Sequence, residues 1–136
     1  MSRELTLRGK VSKGFGEGGK YVTREPYLEY FAKELGGEPF PGTLNVSVEY
    51  GFEEIASLCP PTKVEFGAGA GALLVWRGEI LAEDGAVSNV LILRPLLSRH
   101  SPNIIEAVSP ANLRKCLGLR NGSIVTLKLV CGGADD

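Results

Sequence analysis

The segment Phe40–Val46 reads Phe-Pro-Gly-Thr-Leu-Asn-Val. Two of its side chains, Thr43 and Asn45, carry neutral oxygens and are two residues apart. Its Pro-Gly pair predicts a turn, and the alternation that follows predicts a strand in which Thr43 and Asn45 share one face. Alternate side chains of a strand lie roughly 7 Å apart, so these two can converge on one small object. Neutral oxygens suit a hard cation that already carries anionic partners, such as Mg²⁺ on a nucleotide. The ordinary alternative is a half-buried strand with a polar outer face.

A glycine-rich segment upstream could bind phosphate. Residues 13–20 read Lys-Gly-Phe-Gly-Glu-Gly-Gly-Lys, and clustered glycines let backbone N–H groups approach a phosphate chain. The segment matches G-x-G-x-x-G, but extended residues and Pro26 follow where the dinucleotide fingerprint requires a helix. It is also one residue short of a P-loop, because Tyr21 stands where Ser or Thr would hold Mg²⁺. Two interpretations stay open, a phosphate-binding loop outside both motifs and a plain flexible turn.

A third candidate is the segment from Ser109 to Arg114. It predicts a helix start, with Ser109 as the capping residue and Pro110 at the first helical position. The free N–H groups and the dipole of a helix N-terminus favour an anion. An ordinary capped helix is the alternative, and whether the three segments meet is decided by the fold.

The elements that must position these segments are mostly short strands. Alternating apolar residues predict about seven, from the candidates at 5–11, 42–48, 63–66, 73–77, 79–82, 86–93, 104–108 and 123–130. Helices are predicted at 26–35 and 109–117, and residues 52–58 predict one or two helical turns. Gly36-Gly37 ends the first helix, while Asp84-Gly85 and Asn121-Gly122 predict turns.

No strand–helix–strand rhythm recurs, so a doubly wound parallel sheet is disfavoured. We predict a mainly β fold, a small closed six- to seven-stranded β-barrel with two or three short helices. The length of 136 residues predicts a single domain, here residues 1–131, followed by a flexible tail at 132–136.

Composition narrows the classes of function. Fifteen basic against 16 acidic residues give a net charge of -1, which disfavours general nucleic-acid binding. The charged N-terminus is not a secretory signal, and no apolar run reaches membrane-spanning length. The three cysteines, Cys59, Cys116 and Cys131, have no C-x-x-C spacing and cannot form a zinc finger with one histidine. An odd count without a disulfide framework predicts a reducing, cytoplasmic setting.

Several short motifs, in this order and at these separations, resemble the archaeal CTP-dependent riboflavin kinases over about residues 5 to 130. The residues that carry the resemblance are Gly14-Phe15-Gly16-Glu17-Gly18, Pro26-Tyr27 with the following helix, Gly42-Thr43-Leu44-Asn45, His100-Ser101 with Ile104-Ile105-Glu106, and Pro110 with Leu113-Arg114.

The resemblance implies a cradle-loop barrel that transfers the γ-phosphate of CTP to the ribityl 5′-hydroxyl of riboflavin, giving FMN and CDP. It implies a nucleotide site of Gly14, Phe15, Gly16, Glu17, Gly18, Gly19 and Lys20 with Ala111, Asn112, Leu113 and Arg114. It implies that Thr43 and Asn45 hold one Mg²⁺, and that Ser98 and Glu106 contact the flavin. Glu106 is the only acid that we nominate to accept the hydroxyl proton; the alternatives are that it hydrogen-bonds the substrate or is an acid at the rim of the barrel. His100 is expected to be a loop residue rather than a general base.

Two other classes of function stay open. The ending from Leu113 to Val125 resembles segments of barrel-type transcription factors, so the alternative is a non-enzymatic regulator or small-ligand binder. A kinase that uses ATP is the third possibility. We expect a cytoplasmic monomer whose partners are riboflavin, FMN, CTP and CDP, with no nucleic acid and no membrane.

Overall fold

The computed structural model describes residues 3–14, 21–67 and 69–132. In this part of the chain the segments with alternating apolar residues form seven antiparallel strands. Three helices lie wholly within this part of the chain, and none of its helices is long and apolar enough to cross a membrane. Tyr21 and Val22 are also helical, so the expectation of extended residues directly after the glycine-rich segment is wrong. The elements are β1 (Glu4–Ser12), α1 (Tyr27–Leu35), β2 (Leu44–Val48), α2 (Phe52–Leu58), β3 (Thr62–Val64), β4 (Leu73–Ala82), β5 (Val87–Pro95), β6 (Ile104–Val108), α3 (Leu113–Cys116) and β7 (Ile124–Val130). The predicted tail at 132–136 lies outside the described residues except for Gly132.

The first and last strands show how alternation builds the barrel wall. In β7, Val125, Leu127 and Leu129 are buried and their sequence neighbours are not. Strand β1 pairs antiparallel with β7, and Leu7 lies opposite Leu127. Because alternate side chains point to opposite faces, the apolar residues of both strands enter one interior.

The sheet closes on itself between β4 and β7. The strands follow the order β4-β5-β6-β2-β1-β7, and β4 then pairs with β7, which makes a closed six-stranded barrel with β3 as an extra strand on β4. The prediction of a mainly β closed barrel is therefore confirmed. At the closure Gly78 lies opposite Leu129, and a Cβ on Gly78 would collide with the carbonyl oxygen of Lys128.

This close approach corrects one prediction. Residues 73–77 and 79–82 belong to one strand, β4, rather than to two strands separated at Gly78. Glycine usually weakens a strand, but here the missing side chain lets β4 pass close to β7 while its pairing with β5 continues. Strand β5 also runs to Pro95, beyond its predicted end at residue 93.

Strand β5 is buried on both faces. Val90 and Ile92 belong to the apolar cluster inside the barrel, whereas Leu91 and Leu93 belong to a second cluster outside it. Helix α1 covers this outer cluster with Phe31, which is fully buried. The helix ends where predicted, because Gly36 adopts the left-handed conformation with φ of 72°.

The helix start predicted at Ser109 is wrong. Helix α3 begins at Leu113, and its capping residue is Asn112, whose side-chain oxygen accepts a hydrogen bond from the N–H of Lys115. Ser109 Oγ instead accepts from the N–H of Ala111 at 3.0 Å, which makes a local turn before the helix. A helix of four residues has few aligned peptide dipoles, so it adds little to anion binding.

Cys59 and Cys131 form a disulfide that joins the end of α2 to the end of β7 across 72 residues of sequence. The expectation of no disulfide framework is therefore wrong for this pair, while Cys116 is a free, exposed thiol. The disulfide is buried near Trp76, whose Nε1 donates a hydrogen bond to the carbonyl oxygen of Cys59 at 2.7 Å. The barrel brings the two cysteines together, so their spacing in the sequence carries no sign of it.

Candidate active site

A cavity of about 470 Å³ opens at the end of the barrel where β1 ends and β2 begins. A cavity of this size, partly apolar and with a few convergent polar side chains, is the usual form of a small-molecule site. Six of the residues singled out in the sequence line it, namely Gly14, Thr43, Asn45, Ser98, Glu106 and Arg114. The fold thus brings together residues from all three candidate segments and from β6.

The register of two strands places the predicted metal ligand beside the predicted catalytic acid. Strand β2 pairs with β6, and Asn45 lies directly opposite Glu106. Residues opposite each other on antiparallel strands have Cβ atoms about 4.5–5.5 Å apart, so both side chains enter the cavity together. They are almost fully buried, with 7% of Asn45 and 4% of Glu106 exposed.

Asn45 carries a buried polar atom that needs a partner. Its Oδ1 makes no hydrogen bond within the described part of the chain. A buried acceptor without a partner costs about 1–3 kcal/mol, so this atom is available to a ligand. Thr43, one residue before β2, lines the same cavity, and its hydroxyl is a second neutral oxygen of the kind that hard cations accept.

Gly14 lies against the amide of Asn45. A Cβ on Gly14 would collide with Asn45 Nδ2 and would stand 3.3 Å from Asn45 Cγ. Glycine at this position therefore lets the backbone at the end of β1 pass over the buried amide. Gly14 is the last described residue before the glycine-rich loop, so the loop begins at the cavity.

The carboxylate of Glu106 is held by a tyrosine hydroxyl. Tyr21 donates a hydrogen bond from its hydroxyl to Glu106 Oε1 at 2.9 Å. Burial raises the pKa of Tyr21 well above its usual value, and the nearby charge and hydrogen bond of Glu106 raise it further. The phenol thus stays protonated and fixes one carboxylate oxygen of Glu106.

Part of the cavity lining is apolar and aromatic. Leu73, Leu97 and Tyr27 line it, and Leu97 is 74% exposed. The hydroxyl of Tyr27 donates to the carbonyl oxygen of Gly71 at 2.7 Å, and its ring packs edge-on against Phe66 with centroids 4.8 Å apart. A flat, apolar group could therefore lie between Leu97 and the aromatic side, with polar groups at its end.

The segment between β5 and β6 supplies the remaining polar groups. Ser98 and His100 both line the cavity, and Ser98 Oγ accepts a hydrogen bond from the N–H of His100 at 3.1 Å. His100 lies in a loop, as expected. Its place in the cavity was not part of the sequence interpretation.

A second, small cavity of about 80 Å³ adjoins the first. It is lined by three of the predicted nucleotide-binding residues, Ala111, Asn112 and Leu113, and it shares Gly42, Thr43 and Arg114 with the first cavity. Arg114 is anchored there, because one guanidinium nitrogen donates to the carbonyl oxygen of Ser12 at 3.3 Å and to Asn121 Oδ1 at 2.9 Å. The segment 111–114 therefore reaches the cavity through Arg114 and approaches Thr43 from the other side.

The predicted loop residues Phe15, Gly16, Glu17, Gly18, Gly19 and Lys20 lie outside the described residues. Both flanks of the loop, Gly14 and Tyr21, line the cavity.

Besides His100, the sequence interpretation missed one residue that lines the cavity, Tyr21, and one that lies next to it, Arg94. Tyr21 follows directly after the glycine-rich loop, and that position was a signal, but its hydrogen bond to Glu106 spans 85 residues. Arg94 is buried with 4% exposed near Glu106, and a single arginine before a proline gave no pattern. Among the described residues no three His, Cys, Asp or Glu side chains cluster as a metal site, so a cation here would depend on neutral oxygens and on its own ligand.

Within the described residues, a closed antiparallel barrel brings a buried acid and a buried amide oxygen without a partner into one cavity, which both flanks of the glycine-rich segment also line. This arrangement is typical of a domain that binds a small molecule. The comparisons with known proteins name the family. Residues 11–129 match the model of the CTP-dependent riboflavin kinases, which is described as domain of unknown function DUF120. The chain belongs to this family and is a phosphotransferase of the riboflavin kinase class.

Curated relatives agree with this assignment. The chain is 38% identical over 127 residues to a riboflavin kinase of Ignicoccus hospitalis, which covers 92% of this chain and 71% of that protein. It is 38% identical over 121 residues to a riboflavin kinase of Methanothermobacter thermautotrophicus, covering 88% and 94%. A third, from Staphylothermus marinus, is 33% identical over 128 residues and covers 90% of each chain. The predicted family and enzyme class are confirmed.

Proposed function

We propose that this protein transfers the γ-phosphate of CTP to the ribityl 5′-hydroxyl of riboflavin and releases FMN and CDP. In this reaction the hydroxyl oxygen bonds to the γ-phosphorus, and the bond from that phosphorus to the β–γ bridging oxygen breaks. The electron pair leaves with CDP, and the hydroxyl proton goes to a base. The observation that carries the proposal is the pairing of Asn45 with Glu106 in one cavity.

The nucleotide is proposed to bind on the side of β1 and α3. Gly14 supports this because its backbone passes over Asn45 without a side chain between. The loop residues Phe15, Gly16, Glu17, Gly18, Gly19 and Lys20 are proposed to surround the phosphates with backbone N–H groups. Ala111, Asn112, Leu113 and Arg114 are proposed to line the other side, with the positive charge of Arg114 nearest the cavity.

The residues present fit one Mg²⁺, since Asn45 Oδ1 is a buried acceptor without a partner among the described residues. Thr43 and Asn45 are proposed to hold it. Bound Mg²⁺ would supply neutralisation of phosphate charge, which is a main requirement of phosphoryl transfer. Alignment, the other requirement, falls to the barrel itself.

Riboflavin is proposed to enter from the apolar side. Leu97 and the aromatic residues suit the flat isoalloxazine ring, and Ser98 and Glu106 are proposed to hold its polar groups. This places the ribityl hydroxyl near Glu106, which is fixed through Oε1 by Tyr21 and keeps its other oxygen for the proton.

We also propose that the protein is a monomer and works in the cytoplasm.

The test is FMN formation from riboflavin and Mg²⁺ with CTP, ATP, GTP or UTP in separate reactions, followed by chromatography. The proposal expects FMN, with CTP as the preferred donor. Preference for ATP would retain a riboflavin kinase but reject the donor. Folded protein that forms no FMN with any nucleotide would reject the reaction and favour the non-enzymatic binder.

A further inference from the structure

One arginine next to the cavity is buried without lining it. Only 4% of Arg94 is exposed, and its guanidinium donates three hydrogen bonds to backbone carbonyls. One terminal nitrogen donates to Ser101 and to Ile104, each at 2.8 Å, and the other donates to His100 at 2.9 Å. Two of the acceptors belong to the segment that joins β5 to β6, and the third, Ile104, is the first residue of β6.

The same segment is held from the other side of the guanidinium. The carbon at the centre of the Arg94 guanidinium lies 4.6 Å from the ring centroid of Phe52, a cation–π contact. The N–H of Phe52 donates to the carbonyl oxygen of Pro102 at 2.8 Å. Residues at the start of α2 and at the end of β5 therefore both donate hydrogen bonds to one short stretch, residues 100–104.

Burying a guanidinium is costly unless charge and hydrogen bonds compensate. Burial lowers the pKa of Arg94, and the neighbouring charge of Glu106 opposes that shift. Leu93 lies opposite Glu106, so Arg94 is one position further along β5 and its side chain points to the other face of the sheet. The buried positive charge of Arg94 therefore acts across the sheet on the carboxylate that the proposed function uses.

The segment held by Arg94 carries the acceptor side of the cavity. Ser98 and His100 line the cavity from it, and Ile104 is the first residue of β6, two positions before Glu106. We propose that Arg94 is a positioning residue, which acts through the backbone of residues 100–104 to fix Ser98, His100 and Glu106 around the flavin hydroxyl. This inference rests on the proposed function and assigns no contact between Arg94 and substrate.

Arginine is required here by geometry as well as by charge. The planar guanidinium donates in fixed, diverging directions, whereas the lysine ammonium is a compact charge on a flexible stem. Lysine could keep the charge near Glu106 but could not reach all three carbonyls. Arg94→Lys therefore separates positioning from charge.

The experiment compares Arg94→Lys with a matched control, Arg77→Lys, on β4. Arg77 is largely exposed, pairs with Glu34 and does not line the cavity. Each variant is assayed for riboflavin kcat and KM with CTP, for CDP affinity by calorimetry and for thermal unfolding. We expect kcat/KM for riboflavin to fall at least tenfold in Arg94→Lys, because misplacement of reacting groups by about 1 Å can cost 100-fold. CDP affinity should stay within twofold of the wild type, and Arg77→Lys should match the wild type.

A merely structural role predicts a different result. It would lower the unfolding temperature while leaving kcat/KM per folded molecule unchanged, and that result overturns the inference. Equal losses of CDP affinity and riboflavin kcat/KM overturn it as well, since the nucleotide side would then depend on the segment.

If Arg94→Lys does not fold, Phe52→Leu decides, because it removes the aromatic partner of the guanidinium and keeps an apolar side chain against the core. A threefold or larger loss of riboflavin kcat/KM at unchanged CDP affinity supports the inference, and no loss overturns it. If the wild type forms no FMN, the proposed function fails. Riboflavin binding, followed by quenching of flavin fluorescence, then tests Arg94 in the same variants: weaker binding in Arg94→Lys alone supports positioning, and equal binding overturns it.

Discussion

Replacing Asn45 by alanine should separate activity from stability. The change removes a side chain whose Oδ1 is buried and has no hydrogen-bond partner among the described residues. In the proposed function this oxygen helps to hold Mg²⁺ on the nucleotide. In the ligand-free protein this oxygen accepts no hydrogen bond from the described residues. Its burial therefore lowers the stability of the folded state, because the oxygen has lost its hydration.

The magnitudes follow from these two roles. A buried unpaired acceptor costs about 1–3 kcal/mol, while truncating the amide gives up packing of about 1 kcal/mol. The two terms offset, so the unfolding temperature should stay within about 4 °C of the wild type or rise slightly. Loss of a metal-holding oxygen should instead lower kcat/KM about 100-fold or more, equivalent to about 2.7 kcal/mol.

The assay is FMN formation over a Mg²⁺ titration, with thermal unfolding measured in parallel without nucleotide. The matched control is Asn89→Ala on β5, an exposed asparagine that does not line the cavity. We expect Asn45→Ala to need at least tenfold more Mg²⁺ for half-maximal rate, since losing even an indirect metal contact typically costs 10–100-fold. A folded variant with wild-type rate and Mg²⁺ dependence would refute the metal assignment of Asn45.

Three more changes test other parts of the structure. Gly14→Ala forces the amide of Asn45 aside and should lower kcat/KM for CTP about tenfold or more, whereas Gly37→Ala, which meets no atom within 4 Å, should have no effect. Tyr21→Phe should flatten the alkaline loss of stability. Folding raises the pKa of Tyr21 above its unfolded value near 10, so its stabilisation is complete below pH 10 and is lost as pH rises through the folded pKa, by up to about 1.4 kcal/mol per pH unit. Reducing the Cys59–Cys131 disulfide, which closes a 72-residue separation, should cost about 4 kcal/mol and lower the unfolding temperature by about 10–15 °C.

The outcomes that contradict these expectations are distinct. If Gly14→Ala and Gly37→Ala have the same kinetics, the close approach at the end of β1 has no role in turnover. Parallel urea-unfolding stabilities of wild type and Tyr21→Phe between pH 9 and 11 would remove the linkage argument. An unfolding temperature that is the same with and without reductant, after thiol titration confirms reduction, would show that the cross-link does not stabilise the fold.

Much of the fold could be predicted because the signals are local. The alternation in β7, the turn at Asp84-Gly85 and the left-handed Gly36 each follow from a few neighbouring residues. Gly78 and Ser109 were misread for the same reason: a local rule disfavours glycine in strands and favours serine as a cap. A tertiary contact decided the first, through the closeness of β4 to β7. A competing local contact decided the second, because Asn112 caps the helix through the N–H of Lys115.

The candidate site was predictable in its members and not in its arrangement. The sequence by itself determined that Thr43 and Asn45 lie two residues apart where a strand begins, that glycines cluster after β1, and that the motifs together belong to one family. The strand was predicted from residue 42, but β2 begins at Leu44, so Thr43 lies just before it. Only the tertiary structure decided that Asn45 faces Glu106, because the pairing of β2 with β6 depends on the closing of the whole barrel. The hydrogen bond from Tyr21 to Glu106 and the hydrogen bonds from Arg94 to residues 100–104 also depend on the tertiary structure. Such contacts join residues that packing brings together, and no spacing along the chain encodes them.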